Sequence, residues 1–108
     1  MTAGVWNIKI EAGETWRRTI NWDGATLDAW TGRMQLRRTH DAPTASLALT
    51  TENGGITLSG EDISLLISDS DTSALNGKYV YDLELIDAAN IVYKLVKGEI
   101  EIYPEATK

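Results

Sequence analysis

The C-terminal third of the chain constrains the fold most. From Lys78 to Ile102 it reads KYVYDLELIDAANIVYKLVKGEIEI. Apolar residues recur at every second position: Tyr79, Tyr81, Leu83 and Leu85, then Ile91, Tyr93 and Leu95, then Ile100 and Ile102. A period of two belongs to strands with one buried and one wet face. Breaks at Asp87–Asn90 and at Lys97-Gly98 divide the stretch into three strands, which short turns would join as an antiparallel meander.

The same alternation runs upstream. Strands are predicted over Val5–Glu11, Thr15–Trp22, Gly32–Thr39, Ala45–Thr51, Ile56–Leu58 and Asp62–Ser68. Ala12-Gly13-Glu14, Asp23-Gly24, Asn53-Gly54-Gly55 and Asn76-Gly77 supply turn residues between them. Asp69–Leu75 reads as a single capped helical turn, because Ser and Asp side chains accept from free backbone N–H groups. Pro104 takes a short tail, 103–108, out of the sheet. With 108 residues there is one domain. The fold class is all-β: an immunoglobulin-like antiparallel sandwich of about eight to nine short strands, with a barrel as the alternative. Arg18 is a local conflict, since it shares the inward face of its strand with Trp16, Ile20 and Trp22; a buried, paired arginine or a bulge would resolve it.

The chemistry on offer is sparse. Without cysteine there is no disulfide, thiolate metal site or thiol nucleophile. His40 is the one histidine and lies in a loop with no triad spacing around it. Ser68–Asp71, with Asp62 or Glu61, offers oxygens to a cation, but the glycine and glutamate of an EF-hand loop are missing and helix capping explains the run. Asp82 and Glu84 share a strand face, as a glycosidase pair would; outward acids facing Lys94 or Lys97 are the simpler reading. Asn53-Gly54-Gly55 is a turn and not a phosphate loop. Of the four tryptophans, Trp6, Trp16 and Trp22 alternate with polar residues as core residues do, whereas Trp30 stands outside a strand pattern and is a candidate for partner or sugar stacking. No catalytic residue, metal or cofactor is expected.

A net charge of −6 disfavours nucleic acid as a partner. The N-terminus lacks the pattern of a cleaved signal, and no apolar run approaches the roughly 18 residues of a membrane helix, so a soluble protein is expected. Arg17, Arg18, Arg33, Arg37 and Arg38 make the first half comparatively basic, while the acids gather later. That asymmetry suits protein–protein association.

Five stretches carry a resemblance. The opening, MTAGVWNIKIEAGETWRRTINW, places Gly13, Trp16 and Arg18 in sequence; WTGRMQLR follows at Trp30–Arg37 and LALTTENGGITL at Leu47–Leu58. YDLEL at Tyr81–Leu85 and LVKGEIEIYPEAT at Leu95–Thr107 complete the set. Together they resemble a family of small structural proteins of tailed phages and prophages, similar in pattern to the N-terminal immunoglobulin-like domain of phage baseplate upper proteins. The resemblance implies a non-enzymatic virion component, made in the host cytoplasm. It would dock to tail, baseplate, fibre or capsid proteins, with a homo-oligomer inside the particle as one arrangement. A tail or baseplate adaptor is the leading expectation. Capsid decoration is the alternative, and a carbohydrate-binding module using Trp30 is a further one. Trp30, Arg33, Arg37, Arg38, Tyr103 and Pro104 are the expected partner-binding residues. With no fibre shaft in the chain, direct receptor binding is not expected.

Overall fold

A computed structural model describes residues 4–22 and 26–104. It holds nine strands and one helical turn: β1 Gly4–Val5, β2 Ile8–Glu11, β3 Trp16–Asn21, β4 Thr31–Arg37, β5 Leu47–Thr50, β6 Ile56–Ser59, β7 Asp62–Ile67, α1 Asp69–Ala74, β8 Gly77–Ile86 and β9 Val92–Tyr103. They form two sheets. The larger runs β1-β9-β8-β4-β5, with β2 also on β9; the smaller runs β3-β7-β6. The all-β sandwich anticipated from the alternation is present. Lettered from β2 as A, β3, β7 and β6 become B, E and D against a G–F–C–C′ sheet, the immunoglobulin-type partition. Tyr79, near the start of β8, accepts a hydrogen bond at its Oη from the Asn76 N–H (3.0 Å), as the tyrosine corner of such folds does. The Asp23-Gly24 turn, and the tail beyond Pro104, lie outside the described residues.

The sandwich departs from an all-antiparallel one at its first strands. Both β1 and β2 run parallel to β9, with Ile8 opposite Ile100 and Glu11 opposite Tyr103. Topology requires this. β2 must end where β3 begins, and β9 finishes at that same end of the molecule, so both run the same way. Nor is Val5–Glu11 one strand. It breaks at Trp6-Asn7, where the Asn7 Oδ1 accepts from Glu99 N–H (3.0 Å) and the Trp6 carbonyl accepts from the Tyr81 hydroxyl (2.6 Å). Gly98 permits that approach: a Cβ there would lie 2.2 Å from the Trp6 carbonyl oxygen.

The expected meander also changes. Lys97-Gly98 does not end a strand, and β9 runs unbroken through it. The inward parity switches because of a bulge: Leu83 pairs with Val96 but Glu84 with Lys94, leaving Leu95 as the extra residue. Before the bulge Tyr93 faces inward; after it Val96, Ile100 and Ile102 do. The core between the sheets is built on Ile10, Trp16, Leu27, Met34, Leu36, Ile63, Ile67, Leu83, Leu85 and Ile100, all 2 % exposed or less.

Arg18 is neither buried nor on a bulge. β3 pairs with β7 in unbroken register from Trp16↔Ile67 to Asn21↔Asp62. Because β3 is an edge strand, the Arg18 side chain leaves around the edge, where its Nη1 donates to the Arg17 carbonyl (2.6 Å) and its guanidinium lies 5.3 Å from the Trp16 ring. An inward-pointing charge on an edge strand opposes pairing with another chain.

Candidate functional site

The outer face of the larger sheet collects several of the polar side chains singled out from the sequence. Alternation turns Arg33, Gln35 and Arg37 of β4 outward, together with Val80, Asp82 and Glu84 of β8. Register then sorts them into rows across three strands. Arg33, Glu84 and Lys94 form one row; Gln35, Asp82 and Lys97 the next; Arg37, Val80 and Glu99 the third.

The first row alternates in sign. Glu84 accepts from Arg33 Nε (2.7 Å) on one side and from Lys94 Nζ (2.5 Å) on the other, and Lys94 also lies 3.9 Å from Asp82. The Glu84 side chain is only 12 % exposed, covered by its two partners. Burial pushes its carboxyl pKa up, but hydrogen bonds and charge from Lys94 and Arg33 outweigh this and hold it below the usual range. The hydrogen bond to Glu84 in turn raises Lys94. The bulge makes this row, because an unbroken register would set Leu95 opposite Glu84. Asp82 and Glu84 are therefore surface ion-pair members, and the expectation of Lys94 as their partner is met.

The third row has no such pairing. Arg37 stands opposite Val80. Its Nη1 donates to the Ala42 carbonyl (2.7 Å) and its Nη2 to Gln35 Oε1 (2.9 Å), both neutral acceptors. Residues of all three rows and the exposed His40 line an open basin of about 320 Å³, Arg33, Arg37, Asp82, Glu84 and Lys94 among them.

The other candidates separate. Arg38 has the opposite parity to Arg33 and Arg37 and belongs to a different surface. It lies over the Tyr79 ring (4.1 Å) and donates to Asn76 Oδ1 (2.9 Å) and the Lys78 carbonyl (3.2 Å). The three arginines thus do not make one face. Trp30 stacks on Tyr93 (5.3 Å, 27°) and meets Trp22 edge-on (5.4 Å), closing one end of the sandwich. All three residues are half-buried. Tyr93 Oη also meets Asp87 Oδ2 (3.2 Å); partial burial, then that bond, raises its phenol pKa. Tyr103 is the last strand residue and not the start of the tail, since its carbonyl accepts from Ala12 N–H (2.9 Å). Its ring is exposed, as is Pro104.

Ser68 caps α1, its Oγ accepting from Asp71 N–H (3.2 Å). Asp62 is at the far end of β7, about 20 Å away at the rise of an extended strand, and accepts from Asn21 (3.0 Å). The two ends of the strand cannot share a cation. Among the described residues no group of three or more His, Asp or Glu side chains is placed to hold a metal.

Two functional features were not visible in the sequence reading. Asn53 was read only as a turn residue, yet its side chain closes the β5 edge. Its Nδ2 donates to the Ala48 carbonyl (3.0 Å) and its Oδ1 accepts from Thr50 N–H (2.9 Å) and Gly55 N–H (2.9 Å). Gln35 is an outward polar residue of β4 whose Oε1 orients Arg37. An Asn three residues past a strand end is a usable signal for the first; nothing local marks the second. Comparison with known proteins finds no matching family model and no matching curated relative.

Proposed function

We propose that this chain is a non-enzymatic docking module of a tailed-phage particle, an adaptor at the tail, baseplate or fibre that joins other structural proteins. The supporting observation is the state of its polar groups. Glu84 is held between Arg33 and Lys94, Asp82 lies 3.9 Å from Lys94, Ser68 caps a helix, and His40 is a rim residue of an open basin. What the fold offers is a strand-borne surface on which Arg33 and Lys94 already flank Glu84 before a partner arrives. Two sheet edges are guarded, β3 by Arg18 and β5 by Asn53. That favours docking through a face over strand addition. The partners are protein surfaces, in keeping with a net charge of −6 that repels nucleic acid.

Quantitative mass spectrometry of purified particles tests the reading. A copy number matching a tail ring or fibre set supports the adaptor. A ratio to the major capsid protein near one, or a simple fraction of it, converts the assignment to capsid decoration. Absence from intact particles refutes both.

A further inference from the structure

The charges of the basin do not cancel. Arg33 and Lys94 share Glu84, and Lys94 reaches toward Asp82, so two cations balance two carboxylates. Arg37 is left over. The residue is half-buried, and its guanidinium is held by two neutral acceptors with no carboxylate partner among the described residues. Gln35 and the Ala42 carbonyl take one N–H from each terminal nitrogen. A guanidinium has five N–H donors, so three remain, and its plane is already fixed. The opposing residue, Val80, is apolar and half-buried, so it offers those donors no competing acceptor.

We infer that the basin seats a carboxylate side chain of a partner protein, presented on an acidic segment and bound by Arg37. This rests on the docking reading above and names the chemistry of the partner. A carboxylate fits because the basin lining carries three cations against two carboxylates, with Arg37 the lining cation that has no carboxylate partner, so one negative group balances it. The chain's net charge of −6 disfavours a phosphodiester chain in its place.

The test uses the isolated protein and the particle in parallel. The protein, ¹⁵N-labelled, is titrated at low salt with acetyl-tetraglutamate amide, with acetyl-tetraglutamine amide as control. Saturable shifts are expected at the Arg37 Nε–H and at the Gln35, His40 and Val80 amides, with Kd on the order of 1 mM. Arg37→Gln should weaken binding about tenfold or more, the scale of one lost charge-assisted bond. Arg37→Lys, which keeps the charge and loses the fork, should fall between. Arg17→Gln, on the other sheet, should bind as wild type. Equal binding by Arg37→Gln, or shifts spread evenly over all basic residues, overturns the inference. So does an oligodeoxynucleotide binding the basin as tightly as the peptide. In particles, wild-type incorporation with undiminished Arg37→Gln incorporation also overturns it. Absence of the wild-type chain from particles refutes the docking reading instead, and the titration alone then decides the basin.

Discussion

Replacing Gly98 with alanine should detach the first strand from the larger sheet. A Cβ at this position would stand 2.2 Å from the Trp6 carbonyl oxygen and 2.9 Å from Asn7 Oδ1. Since real Cβ atoms essentially never come within 3.0 Å of such an atom, backbone must move by about 0.8 Å. Either the ribbon stays and the strain of overpacking, about 1–3 kcal/mol, remains, or the ribbon lifts. Lifting breaks Trp6 N–H to the Lys97 carbonyl (2.9 Å), Tyr81 Oη–H to the Trp6 carbonyl (2.6 Å) and Glu99 N–H to Asn7 Oδ1 (3.0 Å). Three such bonds contribute about 1 kcal/mol each. Alanine also narrows the unfolded ensemble, which returns up to about 1 kcal/mol. With the ribbon lifted, the net expectation is a loss of about 2–3 kcal/mol. Urea unfolding measures it, with hydrogen exchange at the Glu99 amide reporting whether the ribbon has lifted. Gly4→Ala is the control, because its Cβ would meet only the Leu95 carbonyl at 3.8 Å, an ordinary contact. A Gly98→Ala loss below about 0.5 kcal/mol with Glu99 still protected would refute the argument.

Ala29 precedes Trp30 with φ +66°, a left-handed conformation that disfavours side chains. Ala29→Gly should therefore stabilise the protein by about 0.5–1 kcal/mol, read as a rise in Tm; a fall would mean that the methyl group packs. Asn53→Ala exposes the Ala48 carbonyl and Thr50 N–H. It should cost about 1–2 kcal/mol and raise self-association in sedimentation velocity, whereas an unchanged monomer would show that the edge is guarded otherwise. Glu84 has a lowered carboxyl pKa, so its contribution is present above the unfolded carboxylate range and is lost as pH falls through the folded value. Glu84→Gln should be less stable at pH 7 by about 1 kcal/mol, discounted for the exposure of Arg33 and Lys94. The gap from wild type should close on acidification, and urea midpoints that differ equally at pH 7 and at the acid end would contradict this.

By itself the sequence determined the class of fold and most of the strands and inward residues, though not the break at Trp6-Asn7, the continuity of β9 through Gly98 or the exposure of Ile91. What it determined follows from a period of two and from turn residues, which are properties of a single segment and its neighbours. The capped turn at Ser68–Ala74 was legible for the same reason, since the cap and the N–H that donates to it are three residues apart. The outward set Arg33, Gln35, Arg37, Asp82 and Glu84 was legible too, one strand at a time. What only the tertiary structure decided was which of these meet. A row across β4, β8 and β9 depends on two registers at once, and the Leu95 bulge shifts one of them so that Lys94, not Leu95, faces Glu84. Arg18 looked like a buried charge because parity cannot say whether a strand lies at an edge, where an inward side chain has an exit. The parallel N-terminal ribbon and the need for glycine at position 98 likewise arise from segments more than 90 residues apart in the chain. Parity is a local property, whereas pairing is settled only when distant strands compete for the same neighbours.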